Sequence, residues 1–300
     1  MPLLETRVAV RNILFATDFS DSSYAAVPYV ETIARRNDAT VFVAHVLAPS
    51  SYAHLPAEGG SAAIDVALGD AERKIVDFIA NSALRSLPHR TTLLLQGDIA
   101  ESLRDMIERC SIDLLVLGTH GRKGLSWFIM GSIAEHILKR APCPVLIVGP
   151  RAPHDVSRSA RLRRILYATD FTHESLAALD YALDLAQEYQ SKLTLLTVLG
   201  GKDANGVFHD TLTAAAANRL RKMAAGEVSL WCEPEIVVDF GDAAERIREH
   251  TNGGCDLIVL GGRTTAFPPP PGAHKFGSVT HKVITDAPCA VLSVPEHWRT

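Results

Sequence analysis

Short apolar runs alternate along the chain with longer segments in which apolar residues recur at helical spacing. The short runs are rich in β-branched residues and end at turn residues, a pattern typical of buried parallel strands joined by crossover helices. In the first half of the chain they predict strands at 12–16, 40–46, 91–96, 114–118 and 145–148. In the second half they predict strands at 165–168, 193–198, 236–239, 257–260 and 290–294. We therefore expect an α/β fold, in which helices connect the strands of a parallel sheet.

The two halves of the chain repeat one another in sequence. Segments that begin at Arg11, Gly97, Asp113 and Ala141 return in the same order at Arg163, Gly241, Asp256 and Ala287. Each repeat is domain-sized and far longer than a solenoid repeat, so the matches predict a duplication that produced two sister domains. We place the first domain at 1–150, a linker at 151–162 and the second domain at 163–300. The linker is polar, contains proline and has no hydrophobic period. We interpret it as a solvated charged connector; the alternative is that its arginines contact an anionic partner.

Composition and charge narrow the class of protein. Hydrophobic residues make up 47% and charged residues 21% of the 300 residues, which is typical of a globular protein. No apolar stretch is long enough to span a bilayer, and the first residues lack the pattern of a signal peptide, so we expect a cytoplasmic protein without a membrane partner. The net charge of -4 gives no general attraction to nucleic acid, and no such partner is expected.

Cysteine and histidine spacing predicts no metal centre. The five cysteines are scattered without a CxxC pair, and the histidines show no HxxxH spacing. We expect reduced, buried thiols and no dedicated metal site.

A glycine-spaced segment follows the fourth predicted strand. Gly118, Gly121, Gly131 and Ser132 have the spacing G-x2-G-x9-G-[ST]. Glycines permit positive φ and a close approach of peptide N–H groups to an anion, and the N-terminus of the helix expected at Ser132 favours negative charge. The alternative is that these glycines serve only tight packing and helix capping in a turn between a strand and a helix. Because Arg122 and Lys123 lie in the same segment, we favour a phosphate site, which faces Asp18 if the first and fourth strands flank the reversal of strand order.

These residues resemble the universal stress proteins of the ATP-binding kind (UspA-like). The resemblance rests on the segment from Ala16 to Ser20, on His45 and Val46 at the end of the second strand, and on the glycine spacing. It covers both halves, so the chain is similar to a tandem universal stress protein. What this implies is a Rossmann-like sheet of five parallel strands in each domain, in the order 3-2-1-4-5. The resemblance also implies pairing of the two domains within the chain, and a homodimer remains open.

The resemblance implies an adenine nucleotide, ATP or else ADP or AMP, with Mg²⁺ as a possible accompanying ion. Carried over by position, the adenine and ribose end is lined by Ala16, Thr17, Asp18 and Val46. The ribose and phosphates are wrapped by Gly118, Thr119, His120, Gly121, Arg122, Lys123 and Gly124. The phosphate tail lies at the helix start formed by Gly131, Ser132, Ile133 and Ala134.

The second domain departs from this pattern at its loop. Thr264 stands where the second glycine is expected, and a proline run at 268–271 follows. Proline has no N–H to donate, so we expect this site to be weaker or empty. Its candidate residues are Ala168, Asp170, Val198, Gly261, Gly277 and Ser278. The alternative is that the longer loop wraps a nucleotide by another route or docks a partner.

Three functions remain open at this point. The leading hypothesis is a nucleotide-binding regulator of the stress response that acts on an unidentified protein partner. The others are a slow ATPase or phosphotransfer enzyme and a scaffold that has lost nucleotide binding. No catalytic residue is assigned, and His120 is interpreted as a loop contact. Asp18 is expected either to bind a ribose hydroxyl or Mg²⁺, or to cap the following helix.

Overall fold

The computed structural model describes residues 8–49, 60–119, 132–152, 160–200, 208–224, 233–262 and 278–296. The chain divides into two compact units. The first consists of Ala9–Ile137 and Ala141–Ala160, and the second consists mainly of Arg161–Thr300.

Strands and helices alternate through the first unit. They are β1 (Asn12–Ala16), α1 (Asp21–Asn37), β2 (Thr40–Leu47), α2 (Gly60–Ala80), β3 (Arg90–Gln96), α3 (Ile99–Arg109), β4 (Leu114–Gly118), α4 (Ser132–Arg140) and β5 (Val145–Val148). All neighbouring strands are parallel, in the order β3-β2-β1-β4-β5. The strand order therefore reverses between β1 and β4.

The second unit repeats this architecture. Its elements are β6 (Arg164–Ala168), α5 (His173–Tyr189), β7 (Lys192–Leu199), α6 (His209–Ala224), β8 (Glu235–Phe240), α7 (Ala243–Thr251), β9 (Leu257–Gly262), α8 (Ser278–Asp286) and β10 (Ala290–Pro295). The parallel strands follow the order β8-β7-β6-β9-β10. The predicted fold class is confirmed, with the strand order 3-2-1-4-5 in both units and helices on both faces of the sheets.

Burial on both faces explains why the apolar runs predict the positions of the strands accurately. Every residue of β5 is buried, and β4 is buried up to its last residue, so these strands contain little besides leucine, isoleucine and valine. The strands β3 and β8 lie at the edges of their sheets and are largely exposed or half-buried, which admits threonines and charged residues. The predicted strands agree with the observed ones to within one or two residues.

A carboxylate joins the starts of the two central strands in each unit. Oδ2 of Asp113 accepts hydrogen bonds from the N–H groups of Arg11 at 2.7 Å and Asn12 at 2.9 Å. Asp256 accepts the corresponding pair in the second unit, also at 2.7 and 2.9 Å. Hydrogen bonds to a charged acceptor are stronger than neutral ones, so these aspartates hold β1 against β4 and β6 against β9. In the sequence they were visible only as part of a repeated segment.

Another repeated pair turns the chain from an edge strand into a helix. Gly97 has φ 123° and Gly241 has φ 132°, a backbone region that only glycine enters without strain. The next residues, Asp98 and Asp242, each accept a hydrogen bond from a glutamate N–H and cap α3 and α7.

Candidate functional site

The strand order of the first unit reverses between β1 and β4. Ala16 at the end of β1 pairs with Ala44 of β2 on one side and with Leu117 of β4 on the other. Thr17 and Asp18 follow β1, and Gly118 and Thr119 end and follow β4. These polar residues therefore meet at the carboxyl edge of the sheet, at the place where open α/β sheets bind their ligands.

The turn after β1 is fixed by the buried residue Thr17, which is 5% exposed. Its N–H donates to the Ala44 carbonyl at 2.9 Å, and its Oγ1 accepts from the Phe19 N–H at 3.0 Å. Nδ1 of His45 lies 2.7 Å from the Thr17 carbonyl oxygen. A carbonyl can only accept, so the proton of this hydrogen bond is on Nδ1 of His45. The backbone of this turn is thereby held by β2 and by the Thr17 side chain.

Asp18 takes part in capping α1. Its Oδ1 accepts hydrogen bonds from the Ser20 N–H at 3.1 Å and from the Ser23 hydroxyl at 2.8 Å. Ser20 is the N-cap, and its side chain accepts from the Ser23 N–H. Of the two roles expected for Asp18, capping is the one that these contacts display. A carboxylate has further acceptor positions, so capping through Oδ1 is compatible with a contact to a ligand.

Phe19 adopts a backbone conformation that bulky residues avoid. Its φ is 64°, and the corresponding Phe171 has φ 63°. A non-glycine residue in this region costs about 1–3 kcal/mol and persists only where its surroundings fix it, most often at functional sites. The Phe19 ring centroid lies 4.4 Å from that of His45 and 5.8 Å from that of Phe78. Sequence reasoning missed Phe19 as a site residue, although its recurrence after the strand-end aspartate in both halves was a usable signal.

Gly118 serves a different purpose from the one that the sequence suggested. Among the described residues, the glycines with positive φ are Gly97, Gly241 and Gly254, so Gly118 does not use the positive φ that glycine permits. A Cβ at Gly118 would lie 2.7 Å from the carbonyl carbon of Ser22. The missing side chain lets the start of α1 pack directly on the end of β4. Close packing, the alternative considered for these glycines, therefore applies to Gly118. At Gly261 of the second unit, a Cβ would lie 2.5 Å from a backbone atom of α5.

The remaining predicted residues of the first site are placed as follows. Thr119 is 3% exposed and donates its N–H to the Val148 carbonyl at 3.1 Å. Val46 is buried near the end of β2, Ser132 is the first residue of α4, Ile133 is exposed and Ala134 is buried. The predicted residues that lie outside the described ones are His120, Gly121, Arg122, Lys123, Gly124 and Gly131.

The corresponding turn of the second unit has the same backbone and different surroundings. Oδ1 of the exposed Asp170 accepts from the N–H and hydroxyl of Thr172 at 3.1 and 2.6 Å. The guanidinium of Arg219 lies 4.3 Å from the centroid of the Phe171 ring, and its Nη2 donates to the Phe171 carbonyl at 3.4 Å. The position of His45 is taken by Thr197, since Ala16 pairs with Ala44 and Ala168 pairs with Leu196. A guanidinium therefore contacts Phe171 in the second unit, whereas an imidazole contacts Phe19 in the first.

The other predicted residues of the second site are partly described. Ala168 is buried at the end of β6, Val198 is half-buried in β7, and Gly261 belongs to β9. Ser278 is the first residue of α8, whereas Gly277 lies outside the described residues.

Within the described ranges, no helix has the length and apolar character needed to cross a bilayer. The same part of the chain contains no group of three or more His, Cys, Asp or Glu side chains placed to hold a metal ion.

The fold and the turn after β1 define a class, the doubly wound α/β proteins that place polar turns at the reversal of strand order. Within that class, the chain belongs to the universal stress protein family, which it matches over residues 9–149 and again over 161–295. The predicted tandem arrangement is thereby confirmed.

Individual relatives match about half of the chain. A universal stress protein of Methanocaldococcus jannaschii is 33% identical over 138 residues, which are 46% of this chain and 81% of that protein. Universal stress protein A homologue 1 of Coxiella burnetii is 32% identical over 144 residues, which are 46% of this chain and 95% of the homologue. A solved universal stress protein from Archaeoglobus fulgidus aligns with 95% of this chain and 96% of its own, with a TM-score of 0.72 and 19% identity. At that identity, the likeness shows a common fold.

Proposed function

We propose that this chain is a nucleotide-binding regulator of the stress response, and that it holds ATP, ADP or AMP mainly in the first unit. The observation that carries the proposal is the polar turn at the reversal of strand order between β1 and β4. This place combines the fixed turn at Thr17 and Asp18 with a close approach of α1 to Gly118. The carboxyl edge at such a reversal is the usual ligand site of open α/β sheets.

The described residues suit the parts of a nucleotide. The buried Val46 and the half-buried Ala16 offer an apolar wall for a base, and Asp18 offers an acceptor for ribose hydroxyls. The helix α4 begins at Ser132, and a helix N-terminus favours phosphate because its N–H groups are unpaired and its dipole is positive there. In this proposal, Mg²⁺ enters with the nucleotide phosphates.

Two observations support an unequal pair of sites. The second loop has Thr264 and a proline run at 268–271, which removes peptide N–H donors. In addition, Arg219 contacts both the ring and the carbonyl of Phe171 at the turn after β6. We therefore assign the nucleotide to the first unit and a weakened or altered role to the second.

Regulation requires that the nucleotide distinguish two states of the protein. A ligand that binds one conformation more tightly shifts the population toward that conformation. In the proposed function, occupancy of the first unit shifts the chain toward the state that an unidentified protein partner recognises.

Titration of the full chain tests nucleotide binding. We expect ATP, ADP or AMP to bind with about one site per chain and Gly121→Val to weaken binding at least about tenfold, or ~1.4 kcal/mol. The matched control is Thr264→Val at the corresponding position of the second unit, which should leave the affinity unchanged. Isothermal titration calorimetry gives both the number of sites per chain and the affinity. One solved universal stress protein is in complex with cAMP, so cAMP is included as a competitor.

Two outcomes would contradict the proposal. Equal affinity of the wild type and a folded Gly121→Val variant would remove the first loop from the site. Two equivalent nucleotides per chain would remove the asymmetry.

A further inference from the structure

Two cysteines of the second unit precede neighbouring strands. They lie at the amino-terminal ends of the strands, whereas Asp170 lies at the carboxyl ends. Cys255 comes two residues before β9, and Cys289 comes directly before β10. These strands are parallel neighbours, and Leu257 pairs with Ala290 at their starts. The register therefore offsets the two cysteines by a single residue. Strand spacing and the rise per residue put their Cα atoms about 6 Å apart, within the range of about 4.4–6.8 Å found in disulfides.

The two thiols lie close enough for each to shift the pKa of the other, with the Cys289 thiol acting as donor toward the Cys255 sulfur. The Cys255 sulfur also lies 3.3 Å from the Leu257 carbonyl oxygen and 3.7 Å from that of Arg164. Cys255 is half-buried, whereas Cys289 is 1% exposed. Cys255 is thus the more accessible residue of the pair.

The contact makes the two sulfurs chemically unequal. Donation by the Cys289 thiol lowers the pKa of Cys255, because it stabilises the thiolate form of that residue. The same hydrogen bond, together with burial, raises the pKa of Cys289. Thiolate is the nucleophilic form of cysteine, so Cys255 is the attacking residue of the pair.

The first unit provides an internal comparison. Cys143, two residues before β5, corresponds to Cys289, but Ile112 stands where the second unit has Cys255. Burial raises the pKa of Cys143 to about 12. That thiol has no cysteine at the facing position and is expected to remain unreactive.

We propose that Cys255 and Cys289 form a reversible disulfide when the protein meets hydrogen peroxide, which makes the second unit a site of thiol modification. The Cys255 thiolate attacks one peroxide oxygen, the O–O bond breaks, and the departing hydroxide takes up a proton to become water. Cys255 is then a sulfenic acid. The Cys289 sulfur attacks the Cys255 sulfur, the S–O bond breaks, and the hydroxyl leaves as water with the Cys289 proton. Overall, two thiols are oxidised and one peroxide is reduced to two waters. Formation of this disulfide does not depend on nucleotide binding.

Peptide mapping of the full chain tests the disulfide. Reduced protein is exposed to hydrogen peroxide, free thiols are alkylated, and the digest is analysed under non-reducing conditions. We expect a cross-linked pair of peptides that contain Cys255 and Cys289, with the loss of two hydrogen atoms, reversal by dithiothreitol, and alkylated Cys143. A digest in which Cys255 is alkylated or overoxidised, without a bond to Cys289, would overturn the proposal.

Variants assign the roles of the two sulfurs. Cys255→Ile introduces the residue of the first unit and should abolish the cross-link, whereas Cys143→Ala should leave it unchanged. Cys289→Ser removes the resolving thiol, so Cys255 should accumulate as a sulfenic acid that dimedone traps. Trapping at Cys289 in a Cys255→Ser variant instead would contradict the assigned order. Circular dichroism verifies that each variant is folded. If a variant does not fold, the peptide map of the oxidised wild-type protein decides whether the disulfide forms.

Discussion

Gly118→Val is expected to destabilise the first unit by about 3 kcal/mol or more, the upper end of the range for overpacked sites. The reason is the direct contact between β4 and α1, where a Cβ would lie 2.7 Å from the backbone of Ser22 and 2.8 Å from its carbonyl oxygen. Backbone atoms cannot rotate away as a flexible side chain can, so the helix has to move. Urea denaturation followed by circular dichroism measures the change in the free energy of unfolding.

A glycine in an open position serves as the control for this prediction. Gly69 lies within α2, and a Cβ there meets nothing within 4 Å. Gly69→Ala should therefore stabilise the protein by about 0.5–1 kcal/mol, because alanine favours a helix over glycine. If Gly118→Val unfolds at the same urea concentration as the wild type, the close approach of α1 is not a constraint on this position.

Phe78→Ala is expected to lower the free energy of unfolding by about 3–5 kcal/mol, as for other large-to-small changes in a core. Phe78 is 1% exposed, and its ring lies 5.9 Å from Phe15, 5.8 Å from Phe19 and 4.4 Å from Tyr24, measured between ring centroids. Removing the ring leaves a cavity beneath the strained turn. Since packing holds Phe19 at positive φ, nucleotide affinity should fall in the same variant under conditions where it remains folded.

The control for Phe78 lies on the same helix. Val76 is 61% exposed, and Val76→Ala should change the free energy of unfolding by less than about 0.5 kcal/mol. Thermal unfolding of both variants, with binding measured below the transition, separates the effect on stability from the effect on the site. Equal destabilisation by the two changes would contradict the role assigned to the Phe78 ring.

The strands could be predicted from the sequence because burial on both faces leaves a local signature. Apolar runs such as the one in β5 are short and nearly free of polar residues, and a window of a few residues detects them. The order of the strands is not a local property. The order 3-2-1-4-5 came from the resemblance to a family, and the pairing of β1 with both β2 and β4 confirms it.

Contacts between distant segments could not be predicted. The packing of Gly118 on Ser22 and the acceptance of two N–H groups by Asp113 each join parts of the chain about a hundred residues apart. The adjacency of Cys255 and Cys289 also depends on which strands are neighbours, so their spacing in the sequence gave no sign of it. Sequence reasoning accordingly found the polar residues that follow β1 and β4 but did not foresee the contact between Gly118 and Ser22.

The asymmetry of the two units was the most specific prediction from the sequence. It rested on Thr264 and the proline run at 268–271, which lie outside the described residues and stay a prediction. The structure adds a difference that the alignment of the halves did not reveal, since Arg219 contacts Phe171 where His45 contacts Phe19. Side chains from α6 and β2 are responsible for this difference, and neither lies in the repeated loop motif.

The nucleotide content of freshly purified protein tests the central claim most directly. The full chain is denatured, the released small molecules are identified by mass spectrometry, and the adenine nucleotide is counted per chain after saturation with ATP and removal of the excess. The account predicts about one ATP, ADP or AMP per chain in the wild type and in Thr264→Val, and a loss of this nucleotide in Gly121→Val. Two nucleotides per chain, or none in a folded and saturated wild type, would contradict it.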